Sequence, residues 1–159
     1  MSSKALTVDA VDTALAPLGM AKKEFVTVRI AGQMFGISVL AVQDVIRKQR
    51  ITPVPLAPAM VAGALNLRGR IVTAIDMRTR LGISHSDAPT NTMKVVVEFQ
   101  HELYALMVDS VGDVLTLSLQ QMEKTPANLN ASWRQVSAGV FKLDKELLVI
   151  LDIAHIIEA

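Results

Sequence analysis

The chain repeats itself. Shifting residues 24–46 forward by 69 positions lays them on residues 93–115 without a gap. Val26 then falls on Val95, Val28 on Val97, Phe35 on Tyr104, Ile37 on Leu106, Val42 on Val111, Asp44 on Asp113 and Val45 on Val114. A second match, at an offset of 76, lays Ile71–Met77 on Leu147–Ile153. Self-similarity of this kind means one supersecondary unit used twice. A unit of about 70 residues buries little surface alone, so the copies are expected to lean on each other across a shared apolar seam.

Within each copy the pattern is that of strands. Phe25–Ile30 alternates, Gly32-Gln33 predicts a tight turn, and Met34–Ser38 runs back. Val95–Phe99, a turn at 100–102, and Leu103–Val108 repeat the design. Each copy ends in an apolar strand followed by an aspartate, Asp76 or Asp152. Such a residue caps a short helix, here Met77–Leu81 and Ile153–Glu158, and stabilises its start by about 1 kcal/mol. Val39, Val42, Val45 and Ile46 fall at helical spacing but are β-branched, which predicts a short helix or a bent strand in the core. Gly112 in the matching segment predicts a bulge or a turn. Many short strands punctuated by Gly and Pro point to small barrels. The expected division is a flexible tail over residues 1–22, a first barrel over 23–83 closed by 145–159, and a second barrel over 84–144, with a linker at 84–92. Together they make one folded unit, 23–159.

Composition narrows the function. Apolar residues make up 51% and charged residues 19%, which excludes wholesale disorder. A net charge of +1 argues against a nucleic-acid coat, and 4% aromatics against a stacking platform for single strands. Without cysteine there is no disulfide, thiolate metal site or cysteine nucleophile. No stretch approaches the ~20 apolar residues that span a bilayer, and Asp9 and Asp12 spoil the N-terminus as a signal peptide. A cytoplasmic protein without membrane insertion is expected. His85, His101 and His155 lack metal-ligand spacing, and no nucleophile elbow, phosphate loop or dinucleotide fingerprint occurs. The expectation is no enzyme, no cofactor and no metal.

Two features of the first copy stand out. Pro53, Pro55 and Pro58 make a stiff strap across 51–60, for which the second copy shows no counterpart at matched spacing. Composition leaves open whether the strap is functional or only closes a barrel. The second feature is charge. Arg47, Lys48, Arg50, Arg68, Arg70, Arg78 and Arg80 face only Asp44 and Asp76 between residues 44 and 80. Most of these cations read as a solvated face. Arg68 differs, because it stands beside Gly69 at a strand end among Leu67 and Ile71. A guanidinium held there binds a carboxylate at lower entropic cost.

Glu24-Phe25, Phe35-Gly36-Ile37, Val42-Gln43-Asp44-Val45, the Pro53 to Pro58 strap, Gly63, Asn66-Leu67-Arg68-Gly69, Ile75-Asp76-Met77-Arg78 and Leu81-Gly82 together resemble the CheW-like family of chemotaxis coupling proteins. Val108–Val114 and the closing Leu148–Ile153 strand carry the resemblance through the second half. It implies an all-β fold of two interlocked five-stranded SH3-like barrels with short helices. It also implies a non-catalytic scaffold that bridges the cytoplasmic tips of chemoreceptors to the regulatory domain of the histidine kinase CheA at membrane-associated arrays, the scaffold itself being a monomer in isolation. By the same resemblance Arg68, Val42 and Gly63 meet the receptor, with Val39, Asp44 and Asn66 beside them, and Val114 and Leu115 face the kinase. Asp44 stands where relatives often have glutamate, one methylene longer, which puts any ion pair there in question. Two other readings stay open at this point. One is a coupler of a twitching or developmental pathway. The other is a small-barrel nucleic-acid binder using the face between Arg47 and Arg80.

Overall fold

The computed structural model describes residues 21–47, 49–90 and 92–158. The expected tail falls almost entirely outside them. Among the described residues ten strands form two five-stranded sheets. In chain order they are β1 Lys22–Ile30, β2 Gln33–Ser38, β3 Val42–Ile46, β4 Val61–Leu67, β5 Arg70–Asp76, β6 Met93–Phe99, β7 Glu102–Val108, β8 Ser110–Ser118, β9 Ser137–Lys142 and β10 Leu147–Leu151. Three short α-helices accompany them among the described residues, α1 Met77–Leu81, α2 Ala131–Val136 and α3 Ile153–Ile157. One sheet runs β8-β1-β2-β10-β9 and the other β3-β6-β7-β5-β4.

This order corrects the expected division into 23–83 with 145–159 and 84–144. The hairpin β1–β2 of the first copy shares a sheet with β8, β9 and β10 of the second, pairing with β8 and β10, and the hairpin β6–β7 of the second shares a sheet with β3, β4 and β5 of the first, pairing with β3 and β5. The two barrels are therefore equivalent, each assembled from both copies. The connections explain the exchange. Only the 3-10 turn Val39–Ala41 separates β2 from β3, and only Asp109 separates β7 from β8. Neither is long enough to fold the chain back onto its own hairpin, so the next strand continues into the neighbouring sheet.

The buried residues sort onto two faces of each strand, as a period of two demands. Phe25, Phe141, Leu148 and Ile150 fill one barrel, with Phe25 and Phe141 rings 5.6 Å apart. Leu65, Val72, Ala74, Val96, Leu103 and Ala105 fill the other. The largest cluster is the seam between them, including Val28, Ile30, Phe35, Ile37, Val95, Val97, Leu106 and Val149. Each such side chain contributes about 1.5–3 kcal/mol by leaving water, and here both sheets share it. The predicted caps form: Asp76 Oδ1 accepts from the Thr79 N–H at 3.2 Å and Asp152 Oδ1 from the His155 N–H at 3.3 Å.

Bulges fall at equivalent places in the two sheets. Val26 pairs with Val114 but Val28 with Val111, and Val45 pairs with Val95 but Val42 with Val97. At the first of these Gly112 is required, since a Cβ there would lie 2.7 Å from Thr27 Oγ1. The 39–46 segment resolves into both expected shapes, a 3-10 turn and then a strand.

The strap has a counterpart after all. Thr52 and Ala64 exchange hydrogen bonds of 2.8 Å, covering the edge of β4, and Glu123 and Val140 exchange bonds of 2.8 and 2.9 Å along β9. Ala64 and Val140 are 76 residues apart, but Thr52 and Glu123 only 71. A length difference and the loss of two prolines hid the equivalence in sequence.

Candidate protein-docking site

The Asn66-Leu67-Arg68-Gly69 box is the tip of the β4–β5 hairpin. Arg68 and Gly69 both take positive φ, 52° and 84°, the backbone of a two-residue turn that matches strand twist. Asn66 Oδ1 accepts from the Gly69 N–H at 3.0 Å and fixes the turn, while the Asn66 carbonyl accepts from the Gln49 side chain. The turn holds the Arg68 backbone in one conformation and leaves its side chain 78% exposed.

Asp44 reaches that side chain from β3. One guanidinium nitrogen of Arg68 lies 3.1 Å from Asp44 Oδ2, and the other carboxylate oxygen accepts from the Val45 N–H at 2.8 Å. The shorter aspartate therefore still makes the ion pair. Asp44 Oδ2 is itself buried and accepts no hydrogen bond of good geometry. An exposed pair like this adds about 0–1 kcal/mol to stability. Its larger effect is to aim Arg68.

The remaining expected positions separate. Asn66 is exposed, but its side-chain oxygen is committed to the turn. Gly63 is buried at φ 152°, pressed against the Thr52 backbone, so its contribution is to let the strap lie flat on β4. Val42 is half-buried against the seam, and Val39 is half-buried in the crossover turn. On β8, in the other sheet, Val114 is 51% exposed while Leu115 packs into the barrel beside Phe25 and Phe141. Only Val114 of that pair is available to a partner.

The basic face is also smaller than the sequence suggested. Arg78 is 5% exposed and holds Asp109 by two hydrogen bonds, Nε to Oδ1 at 3.2 Å and a terminal nitrogen to Oδ2 at 2.7 Å. Its other terminal nitrogen donates to Asp87 at 2.8 Å and to the Ser84 carbonyl. Hydrogen bonding to Asp109 raises the Arg78 pKa further, and the Asp87 carboxyl is held below the usual range by the same guanidinium. Arg80 donates to the Ile156 and His155 carbonyls at 3.2 and 3.1 Å and closes the end of α3. His85 and His155 pair with the capping aspartates Asp76 and Asp152 at 2.8 and 2.9 Å.

The corner equivalent to the Arg78 clamp is open. There Leu40 occupies the place of Asp109, and Ala154 that of Arg78. A depression of about 340 Å³ remains, lined by Leu40, Ala41, Gln43, Glu98, Gln100 and His101. Leu40 is 71% exposed, and Gln100 and His101 both hold positive φ, 51° and 68°. Sequence reasoning missed this surface, although the two-copy alignment sets Leu40 against Asp109.

Comparison with known proteins agrees with this architecture. The family model described as "CheW-like domain" matches residues 24–159. The chain is 34% identical over 143 residues to the chemotaxis protein CheW of Thermotoga maritima, covering 89% of this chain and 93% of that one. It is 27% identical over 140 residues to a probable chemotaxis protein CheW of Rhizobium etli, covering 88% and 90%. The crystal structure of the scaffolding protein TtCheW from Thermoanaerobacter tengcongensis superposes with a TM-score of 0.78 at 25% identity, over 86% of this chain and 93% of that one. The two sheets are thus SH3-like barrels, and the chain belongs to the CheW-like domain family of chemotaxis scaffold proteins.

Proposed function

We propose that the protein couples the cytoplasmic tips of chemoreceptors to the regulatory domain of the histidine kinase CheA, as a non-catalytic monomeric scaffold recruited to receptor arrays from the cytoplasm. The observation that carries this reading is the Arg68 tip: a rigid turn, an exposed guanidinium, and a carboxylate of the same chain that orients it without enclosing it. Receptor contact centres on Arg68 and Asp44, with Val39 and Val42 at the adjacent crossover. Two surfaces remain for the kinase, the exposed Val114 strip and the Leu40 depression. A scaffold transmits a signal when it binds two states of a partner with different free energy, which separate faces on one rigid seam permit.

The test is a titration of a purified chemoreceptor cytoplasmic fragment with wild-type protein and Arg68→Glu. Charge reversal at a docking guanidinium is expected to weaken binding about 10- to 100-fold with the melting temperature unchanged. A folded Arg68→Glu protein that binds as tightly as wild type refutes the assignment. Co-purification with kinase, lost on Leu40→Asp or Val114→Asp, tests the second face.

A further inference from the structure

Removing Arg78 and Arg80 from the basic face leaves, among the described residues, Arg47, Arg50, Arg68 and Arg70, all exposed, with the β3 edge and the β4–β5 tip of the β3-β6-β7-β5-β4 barrel brought together. The Gln49 bond to the Asn66 carbonyl ties the 47–50 segment to the hairpin tip that carries Arg68 and Arg70. Among the described residues Arg47, Arg50 and Arg70 make no salt bridge and Asp44 pairs with Arg68. The exposed Glu98 and Glu102 of the β6–β7 hairpin lie across the sheet at the level of Val72, near the Arg70 end of β5. Beneath them lies a fifth cation. Lys94 is 4% exposed and donates to the Arg47 carbonyl at 3.3 Å, with no carboxylate in reach among the described residues. Its equivalent in the other barrel is Phe25, a core side chain. A buried cation is costly without a counter-charge, and burial lowers the Lys94 pKa; in its charged form it adds to the positive field at this end.

The fold does not demand this charge. The equivalent hairpin tip of the other barrel places Asp144 at the position of Arg68 and Glu146 at that of Arg70. Glu146 is already held by Arg29 at 2.8 Å. Ile71, on the opposite face of β5 from Arg70, pairs with Asn66 and stands 71% exposed.

We propose that this end of the barrel selects its partner by charge: the protein segment that docks at Arg68 carries several carboxylates, and Arg47, Arg50 and Arg70 read those carboxylates. This rests on the docking role proposed for Arg68 and adds to it which receptors are accepted. Rim cations of this kind speed association and reject partners of like charge, and their effect falls as salt is added.

The experiment uses a purified chemoreceptor cytoplasmic fragment with at least three acidic residues at its tip, and the same fragment with those residues changed to amides. Binding is measured in about 50 and about 300 mM salt, a range across which exposed charges are increasingly screened. The proteins are wild type, the triple variant Arg47→Ser/Arg50→Ser/Arg70→Ser, and Arg68→Glu. The triple variant is expected to bind the acidic fragment about tenfold more weakly at low salt, with a shallower salt dependence and an unchanged melting temperature. The amide fragment should bind wild type and triple variant alike. Equal binding of the acidic fragment by wild type and triple variant overturns the inference. If Arg68→Glu still weakens binding in that case, the docking reading survives alone. If Arg68→Glu also binds normally, or no protein binds the fragment, both fall. Displacement of the fragment by an equal concentration of duplex DNA overturns the assignment to a protein partner.

Discussion

Arg78→Met tests how the two barrels are held together. The guanidinium is 5% exposed and touches four segments: its own helix α1, the 84–87 linker, Asp109 in the crossover from β7 to β8, and, through Asp109, the β1–β2 turn. Asp109 Oδ2 also accepts from the Ala31 N–H at 2.8 Å, and the Asp109 N–H donates to the Arg29 carbonyl at 2.9 Å. Breaking a buried pair by removing one partner costs about 3–5 kcal/mol. Asp109 is 17% exposed and keeps its bond to Ala31, so part of its charge is relieved by water. The net loss should be about 2–3 kcal/mol, or a fall in melting temperature of about 6–10 °C for a domain of this size. Urea and thermal unfolding measure it. A double-mutant cycle with Asp109→Asn isolates the pair and should give a coupling of about 1.5 kcal/mol or more. Arg78→Lys keeps the charge but loses the bidentate geometry and should recover less than half of the loss. A coupling under about 0.5 kcal/mol would show that the crossover is held by the apolar seam alone, and the clamp argument would be wrong.

Other substitutions discriminate further. Gly63→Ala should destabilise by about 3 kcal/mol, since it combines positive φ with a clash against the Thr52 backbone. Gly139→Ala should cost less, because its close neighbours are the Glu123 carbonyl at 3.0 Å and the flexible Met122 side chain; equal losses in urea unfolding would contradict the strap packing. Leu56 is fully exposed at φ 64°, so Leu56→Asn should gain about 0.5–1 kcal/mol from relief of the left-handed backbone. A loss of stability would mean that Leu56 packs in solution. Hydrogen bonds from Arg78 and Arg29 hold the Asp87 and Glu146 carboxyls below their usual range. Because the folded values are depressed, this stabilisation is complete above about pH 5 and drains away as pH falls through the carboxylate range. Urea midpoints taken between pH 7 and pH 3 should fall, and Arg29→Met together with Arg78→Met should flatten the slope; a parallel slope in the double variant refutes the attribution.

The fold was legible where a residue type has one common use. The repeat, the capping aspartates, the Gly112 bulge and the seam all follow from alternation and from glycine or aspartate at a fixed place. The second strap and α2 were not legible. Six residues are too few for a helical period, and one proline is too weak a mark beside three. The site divided similarly. Arg68 stood out because a glycine follows it at a strand end. Arg78, identical in side chain, looked like the same basic face, and its burial depends on Asp109, 31 residues away.

The sequence by itself determined that one strand-rich unit is used twice, that neither copy is self-sufficient, and that a guanidinium sits on a turn. Local patterns suffice for these, because side-chain alternation and turn stereochemistry act over a few residues. Only the tertiary structure decided which hairpin each strand joins, which arginines are spent inside, and that Asp44 reaches Arg68. Those outcomes depend on connections too short to turn back and on partners distant in the chain, and no local pattern records them.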